Sequence, residues 1–359
     1  MTAMVPKFVR QTVRQMEGYT PGEQPAPGER IVKLNTNENP FPPSPKVMQV
    51  IREIEPEMLR RYPHPTADKF RIAAAKILGV EMDQIIAGNG SDDILTIATR
   101  TFVPPDGVLA FPDPTYSLYP ILAKLEDAKS VAVAWEKNWS LPIEALVDTK
   151  ADAIYIANPN APTGTFVSPE KIAELAKKTS ALVLVDEAYV DFAEENCLAL
   201  VKDYSNIIIA RSFSKAYCLA GLRFGFAVAQ PQVIAEMEKV KDSYNCDAIS
   251  VAAATAAIED QEYAAMTWKH VCGERQRVTD ELQSLDWKVL PSQANFILAT
   301  VPGGRGRDAY LGLKQQGILV RFFDKPGLND KLRITIGTSQ ENNALLSGIK
   351  ALSIAEKAA

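Results

Sequence analysis

Lys215 follows an apolar β-branched run and two small hydroxyls in Ile207-Ile-Ile-Ala-Arg-Ser-Phe-Ser-Lys215, and Arg223 stands eight residues beyond it. A lysine where a buried strand ends is poised to lose its proton and attack a carbonyl, because desolvation disfavours the ammonium. Ser212, Ser214 and Arg223 are of the types that hold a phosphate. The combination points to a lysine imine with pyridoxal 5'-phosphate (PLP), whose cationic ring is an electron sink. Ser-x-Ser-Lys alone reads more readily as a surface lysine after an ordinary strand. The other strand ends change that balance.

The run Ala181-Leu-Val-Leu-Val ends in Asp186-Glu-Ala-Tyr189. An aspartate there pairs with a pyridine nitrogen and keeps it protonated, and Tyr189 has the reach to meet a ring hydroxyl. By itself Asp186 reads equally as a helix N-cap or as half of an ion pair. Asp113-Pro-Thr-Tyr116 follows another apolar run, and Tyr116 is suited to lie on a cofactor face, although a core or turn tyrosine fits it in isolation. Gly88-Asn-Gly-Ser-Asp-Asp93 opens a helical run at 94–101. Free N–H groups and the helix dipole make such a junction a phosphate cradle, with Ser91 and Asp92 at its head. A lone Gly-x-Gly is a weak signal. In Asn158-Pro-Asn-Ala-Pro-Thr-Gly164, Asn160 has a donor for a ring oxygen, though Asn-Pro runs ordinarily form turns.

These groups need strands to carry them. Strand-like runs fall at 107–111, 130–134, 153–157, 181–185, 206–210 and 224–228, with helical stretches between several of them. Helices are expected at 45–54, at 66–78 with Thr66 as cap and Gly79 as stop, and at 168–178 with Pro169 in its first turn. The alternation predicts an α/β protein, with a three-layer large domain around a mostly parallel sheet, whose ligands bind beyond the carboxyl ends of the strands. A mostly helical stretch at 231–259, a helix at 263–285 and a β-β-α-β-β order with a terminal helix predict a smaller α+β C-terminal domain. The expected division is an N-terminal arm at 1–34, a large domain at 35–260 and a small domain at 261–356.

Composition narrows the function classes. The 359 residues are 47% hydrophobic and carry a net charge of −5, enough apolar content for a sizeable core and a poor match to a nucleic-acid surface. No apolar run is long enough to span a bilayer, and the first ten residues lack the apolar core of a signal peptide. Cys197, Cys218, Cys246 and Cys272 are scattered, which suggests neither a zinc site nor a disulfide framework. A cytoplasmic protein is expected. His64 and His270 are the only histidines, too few for a histidine-rich metal site, and their contexts suit a turn and a charged helix.

Taken together, the motifs resemble the fold-type-I PLP-dependent aminotransferases, and more narrowly the histidinol-phosphate aminotransferase family. The likeness runs from Tyr19-Thr-Pro-Gly and Asn35-Thr-Asn-Glu-Asn-Pro40 through Arg61-Tyr-Pro63, Gly90-Ser-Asp-Asp93, Asp186-Glu-Ala-Tyr189 and Ser214-Lys-Ala216 to Leu332-Arg-Ile-Thr-Ile-Gly337. It implies that Lys215 carries the cofactor as an imine and then moves the proton at the substrate α-carbon. It implies that Asp186 pairs with the ring nitrogen, Tyr189 contacts the ring oxygen and Tyr116 stacks on the ring. Ser212, Ser214, Arg223 and the backbone of Ser91 and Asp92 would hold the phosphate. Arg321 and Arg333 match the substrate-anion arginines, with Asn37 and Tyr19 on the substrate side and Tyr19 expected to close over the phosphate from the neighbouring subunit. Tyr62 would cross into the partner's site, which makes the enzyme a homodimer. The family often has asparagine immediately before Pro-Thr-Gly, and here Ala161 stands there, so either Asn160 or Asn158 replaces that contact or it is absent.

The resemblance favours amino transfer between histidinol phosphate and 2-oxoglutarate, in histidine biosynthesis. An aromatic or broad-specificity aminotransferase shares the scaffold, and a phosphothreonine decarboxylase shares much of the motif set. A non-catalytic module of this fold is disfavoured by the presence of both Lys215 and Asp186 and by the lack of a DNA-binding extension.

Overall fold

Between residues 85 and 228 the chain builds a seven-stranded sheet. The structure, a computed structural model, describes residues 6–358 apart from 21, 27, 29 and 30; the start of the arm and Pro21 of the Tyr-Thr-Pro-Gly motif thus lie outside the described residues. In spatial order the strands are Ile85–Gly88, Gly225–Val228, Ile207–Ser212, Leu182–Asp186, Ala153–Ala157, Val108–Asp113 and Lys129–Ala134. Only Gly225–Val228 runs against the others.

The central strands are buried on both faces. Ile207 and Ile209 join an apolar cluster with Phe70, Phe213 and Phe224, while Ile208 and Ala210 join a second with Leu109, Tyr119 and Tyr155. A continuous apolar run, rather than alternation, is what a parallel strand between two helical layers requires. Helix Asp68–Leu78 contributes Phe70 and helix Ala248–Ile258 contributes Ala253 to the first cluster; helix Ser91–Phe102 contributes Ile94 to the second. Thr66 does not cap the helix at 68–78: Ala67 occupies that position, and the Thr66 hydroxyl donates to Asp68 Oδ1. The helical stretch expected at 231–259 divides into Pro231–Glu238 and Ala248–Ile258, the second capped by Asp247, which accepts from Ser250 N.

One strand is not announced by the sequence. Ile85–Gly88 is four residues long and follows a single turn at Met82–Gln84, so no run of useful length marks it. It places Gly88 opposite Gly225 and feeds straight into helix Ser91–Phe102.

The small domain is an antiparallel sheet ordered Arg321–Phe322, Lys331–Thr335, Phe296–Thr300, Lys288–Val289. It packs on helices Gln261–Ser284 and Ser339–Ala358 through Val271, Val278, Leu345 and Ile349. The end of the arm is anchored there. Val32–Lys33 pairs in parallel with Ile318–Leu319, and Leu34 is buried in the small-domain core.

Candidate active site

The loops at the carboxyl ends of the parallel strands bring Lys215, Asp186, Arg223 and the start of helix Ser91–Phe102 together. Lys215 Nζ donates to the carbonyl of Thr36 at 3.0 Å. Burial pushes its ammonium down to about 8, and nearby Arg333 and Arg223 push the same way, against Glu38 and Asp92. The amine is therefore readily freed for attack. Asp186 is only 4% exposed, and burial raises its carboxyl to about 7. Tyr119 donates to its Oδ2 at 3.0 Å and the Ala188 N–H to its Oδ1 at 3.3 Å, but among the described residues no cation pairs with it. A buried carboxylate without a counterion is a seat for a cationic group.

The cradle beside them is built from backbone. Gly90 precedes the first turn of helix Ser91–Phe102 and no side chain caps that helix, so its leading N–H groups remain available. Gly90 sits at φ 88°, and a Cβ there would come within 2.8 Å of an Arg223 nitrogen. Arg223, itself at φ 52°, donates to Ser214 Oγ at 3.0 Å and pairs with Asp92 at 3.4 Å. Ser212 Oγ accepts from Ser214 N at 3.1 Å. Hydroxyls, a guanidinium and helix N–H groups converge, which is a donor set for a phosphate dianion.

Above the carboxylate lies a column of aromatic rings. Tyr116 meets Tyr119 edge-on at 5.7 Å, and Tyr119 meets Tyr155 at 5.5 Å. The Tyr116 hydroxyl donates to Asp92 at 3.1 Å, and burial raises its pKa. Tyr189 accepts from Asn37 Nδ2 at 3.0 Å and packs edge-on against Phe296 at 5.0 Å. Asn37 is buried, holding both Tyr189 and, through its backbone N–H, Thr335. Arg333 Nη2 donates to the carbonyl of Asn35 at 2.9 Å, and Arg321 faces it directly across the antiparallel pair.

Three expectations change. Asn160 has no donor left for a ring oxygen: its two amide N–H groups go to Pro114 O at 3.1 Å and Thr163 Oγ1 at 2.8 Å, while its oxygen accepts from Thr115. It braces two loops. Asn158 likewise donates to Val167 O and accepts from Val167 N, so neither asparagine replaces the contact missing at Ala161. Tyr19 reaches its own chain's site, meeting Tyr116 edge-on at 6.1 Å, which corrects its assignment to the neighbouring subunit's site. Tyr62, by contrast, is 81% exposed and stacks on Tyr244 at 4.5 Å, away from the other residues of its own site.

Sequence reasoning passed over Tyr119, the carbonyl of Thr36, and the rings of Phe296 and Phe323. Only Tyr119 carried a signal, three residues after Tyr116. The others are ordinary residues until folding places them.

The fold and this donor set define a fold-type-I PLP enzyme: the uncompensated carboxylate of Asp186 suits the ring nitrogen, the uncapped helix suits the phosphate, and Lys215 suits the aldehyde. The chain belongs to the class I and II aminotransferases, whose family model matches residues 29–349, and within them to the histidinol-phosphate aminotransferase family. It is 44% identical over 345 residues to histidinol-phosphate aminotransferase 1 of Trichormus variabilis, covering 96% of this chain and 99% of that protein. It is 46% identical over 340 residues to the Rhodopirellula baltica histidinol-phosphate aminotransferase, covering 94% and 93%. The crystal structure of the Sinorhizobium meliloti histidinol-phosphate aminotransferase in complex with PLP superposes with a TM-score of 0.88 at 25% identity, covering 97% of this chain and 99% of that one. Among the described residues no helix is long and apolar enough to cross a membrane, and no His, Cys, Asp and Glu cluster could hold a metal ion.

Proposed function

We propose that this aminotransferase moves an amino group between histidinol phosphate and 2-oxoglutarate, serving histidine biosynthesis in the cytoplasm as a homodimer. The observation that carries the substrate reading is the pair Arg321 and Arg333, placed opposite each other at the edge of the small-domain sheet. Guanidinium forks bind carboxylate or phosphate oxygens in pairs, so one seat accepts glutamate's carboxylate and the phosphate of the other substrate in turn.

When bound, PLP supplies an electron sink for negative charge at the substrate α-carbon. Asp186 holds the proton on the ring nitrogen, and the Tyr119 hydroxyl keeps the carboxylate oriented. Lys215, with its lowered basicity, takes the proton from the substrate α-carbon and returns it. Tyr116 and Tyr189 would contact the bound ring, and Tyr19, edge-on to Tyr116, would cover the substrate from its own arm. Tyr62, exposed and stacked on Tyr244, is suited to enter the partner subunit's site.

The rings of Tyr19, Tyr116, Phe296 and Phe323 around this seat favour a second reading, an aromatic amino-acid aminotransferase. Steady-state kinetics decide between them. The histidine-pathway reading requires a higher kcat/KM for imidazole-acetol phosphate than for phenylpyruvate, with glutamate as donor. The reverse order would overturn it in favour of the aromatic one.

A further inference from the structure

Arg321 and Arg333 occupy directly facing positions on neighbouring antiparallel strands. Like charges so placed destabilise a sheet, so something in the fold must accommodate them. Burial and the neighbouring Arg321 both make the Arg333 cation harder to keep. Arg333 Nε is buried and has no hydrogen-bond partner among the described residues. Arg333 Nη2 donates to the Asn35 carbonyl, and the contact that both cations share is aromatic. The guanidinium carbon of Arg321 lies 5.5 Å from the Phe323 ring centroid, and that of Arg333 lies 5.6 Å from the same centroid and 5.3 Å from that of Phe296. One phenyl ring thus serves two cations.

We propose that Phe323 is a positioning residue for the substrate anion: its ring holds the two guanidiniums at a fixed separation and so sets how tightly a doubly charged group is bound. The inference rests on reading Arg321 and Arg333 as the substrate-anion residues. The ring's negative face attracts each cation and is rigid, whereas an aliphatic side chain of similar volume fills the space without that attraction. Without the ring, both guanidiniums lose the surface that sets their separation, Arg333 keeping its hydrogen bond to the Asn35 carbonyl, and the two no longer meet a phosphate in register. PLP is held by residues that Phe323 does not touch, so its affinity should not change.

The test compares Phe323→Leu, Phe323→Met and Phe323→Tyr with Arg321→Ala and Arg333→Ala. Each holoenzyme, its cofactor phosphate site filled, is titrated with inorganic phosphate by calorimetry, and KM and kcat are measured for both substrates. The expected result is a loss of roughly three- to thirty-fold in phosphate affinity for the leucine and methionine variants. KM should rise by a similar factor with kcat and PLP affinity unchanged, and tyrosine should restore near-wild-type values. If the arginine variants lose phosphate binding while both aliphatic variants keep it, the role of Phe323 is overturned and the anion seat stands. If the arginine variants bind phosphate as well as wild type, the anion-seat reading fails and takes this inference with it.

Discussion

Asp186 gives the sharpest quantitative test, because its carboxylate is buried without a cation until the cofactor arrives. In the cofactor-free protein its carboxyl titrates near 7, against 3.8 for an ordinary aspartate, with burial as the main cause. Between those two values the folded protein holds a proton that the unfolded chain has released, so stability falls as pH rises. The penalty is absent below 3.8 and complete above about 7, where it amounts to about 4 kcal/mol. Asp186→Asn removes it. The new amide keeps one oxygen, so only one of the two donors, Tyr119 at Oδ2 or the Ala188 N–H at Oδ1, retains its acceptor, and the unmatched polar groups cost about 1–3 kcal/mol at every pH. Relative to wild type, the variant should therefore gain most of that roughly 4 kcal/mol as pH rises from about 4 to about 7, the range set by the two titrations. Urea unfolding of both cofactor-free proteins at one fixed concentration measures this. Tyr119→Phe should act the other way. Losing a hydrogen bond to the charged carboxylate moves the titration upward by about 1–2 pH units, read from the carboxyl band in the infrared. A stability difference between variant and wild type that stays constant across the pH range would refute the account. In the holoenzyme Asp186→Asn should slow transamination at least ~100-fold, since the ring loses its proton partner.

Borohydride reduction should place the pyridoxyl group on Lys215, and cofactor attachment should quicken as pH rises to a plateau above about 8, where the buried amine is neutral. A label on another lysine would remove its assignment. Gly90→Ala puts a Cβ at φ 88° and 2.8 Å from Arg223, so PLP affinity should fall at least ~10-fold while far-ultraviolet circular dichroism stays native. Unchanged affinity in fluorescence titration would argue against the cradle. Mixing inactive Lys215→Ala with weakened Tyr62→Ala protomers should restore activity, because a heterodimer then contains one site with both residues intact. No recovery after subunit exchange would count against the crossing.

The sequence by itself determined the chemistry-bearing residues, because the reaction's requirements are local in the chain. A lysine after a buried strand, hydroxyls beside it, an arginine at fixed spacing and an aspartate ending another apolar run are all visible as residue types. The layered architecture was legible for the same reason: continuous β-branched runs imply strands covered on both faces. Tertiary structure decided what depends on partners distant in the chain. Ile85–Gly88 is too short to announce itself and is defined by pairing with Gly225–Val228. Asn160 looked like a ring donor until Pro114 and Thr163 took both its N–H groups. Tyr119 finds Asp186 across 67 positions, and Phe323 matters only because two strands set Arg321 against Arg333. Hydrogen-bond saturation and charge compensation are properties of assembled neighbours, so no window of sequence contains them.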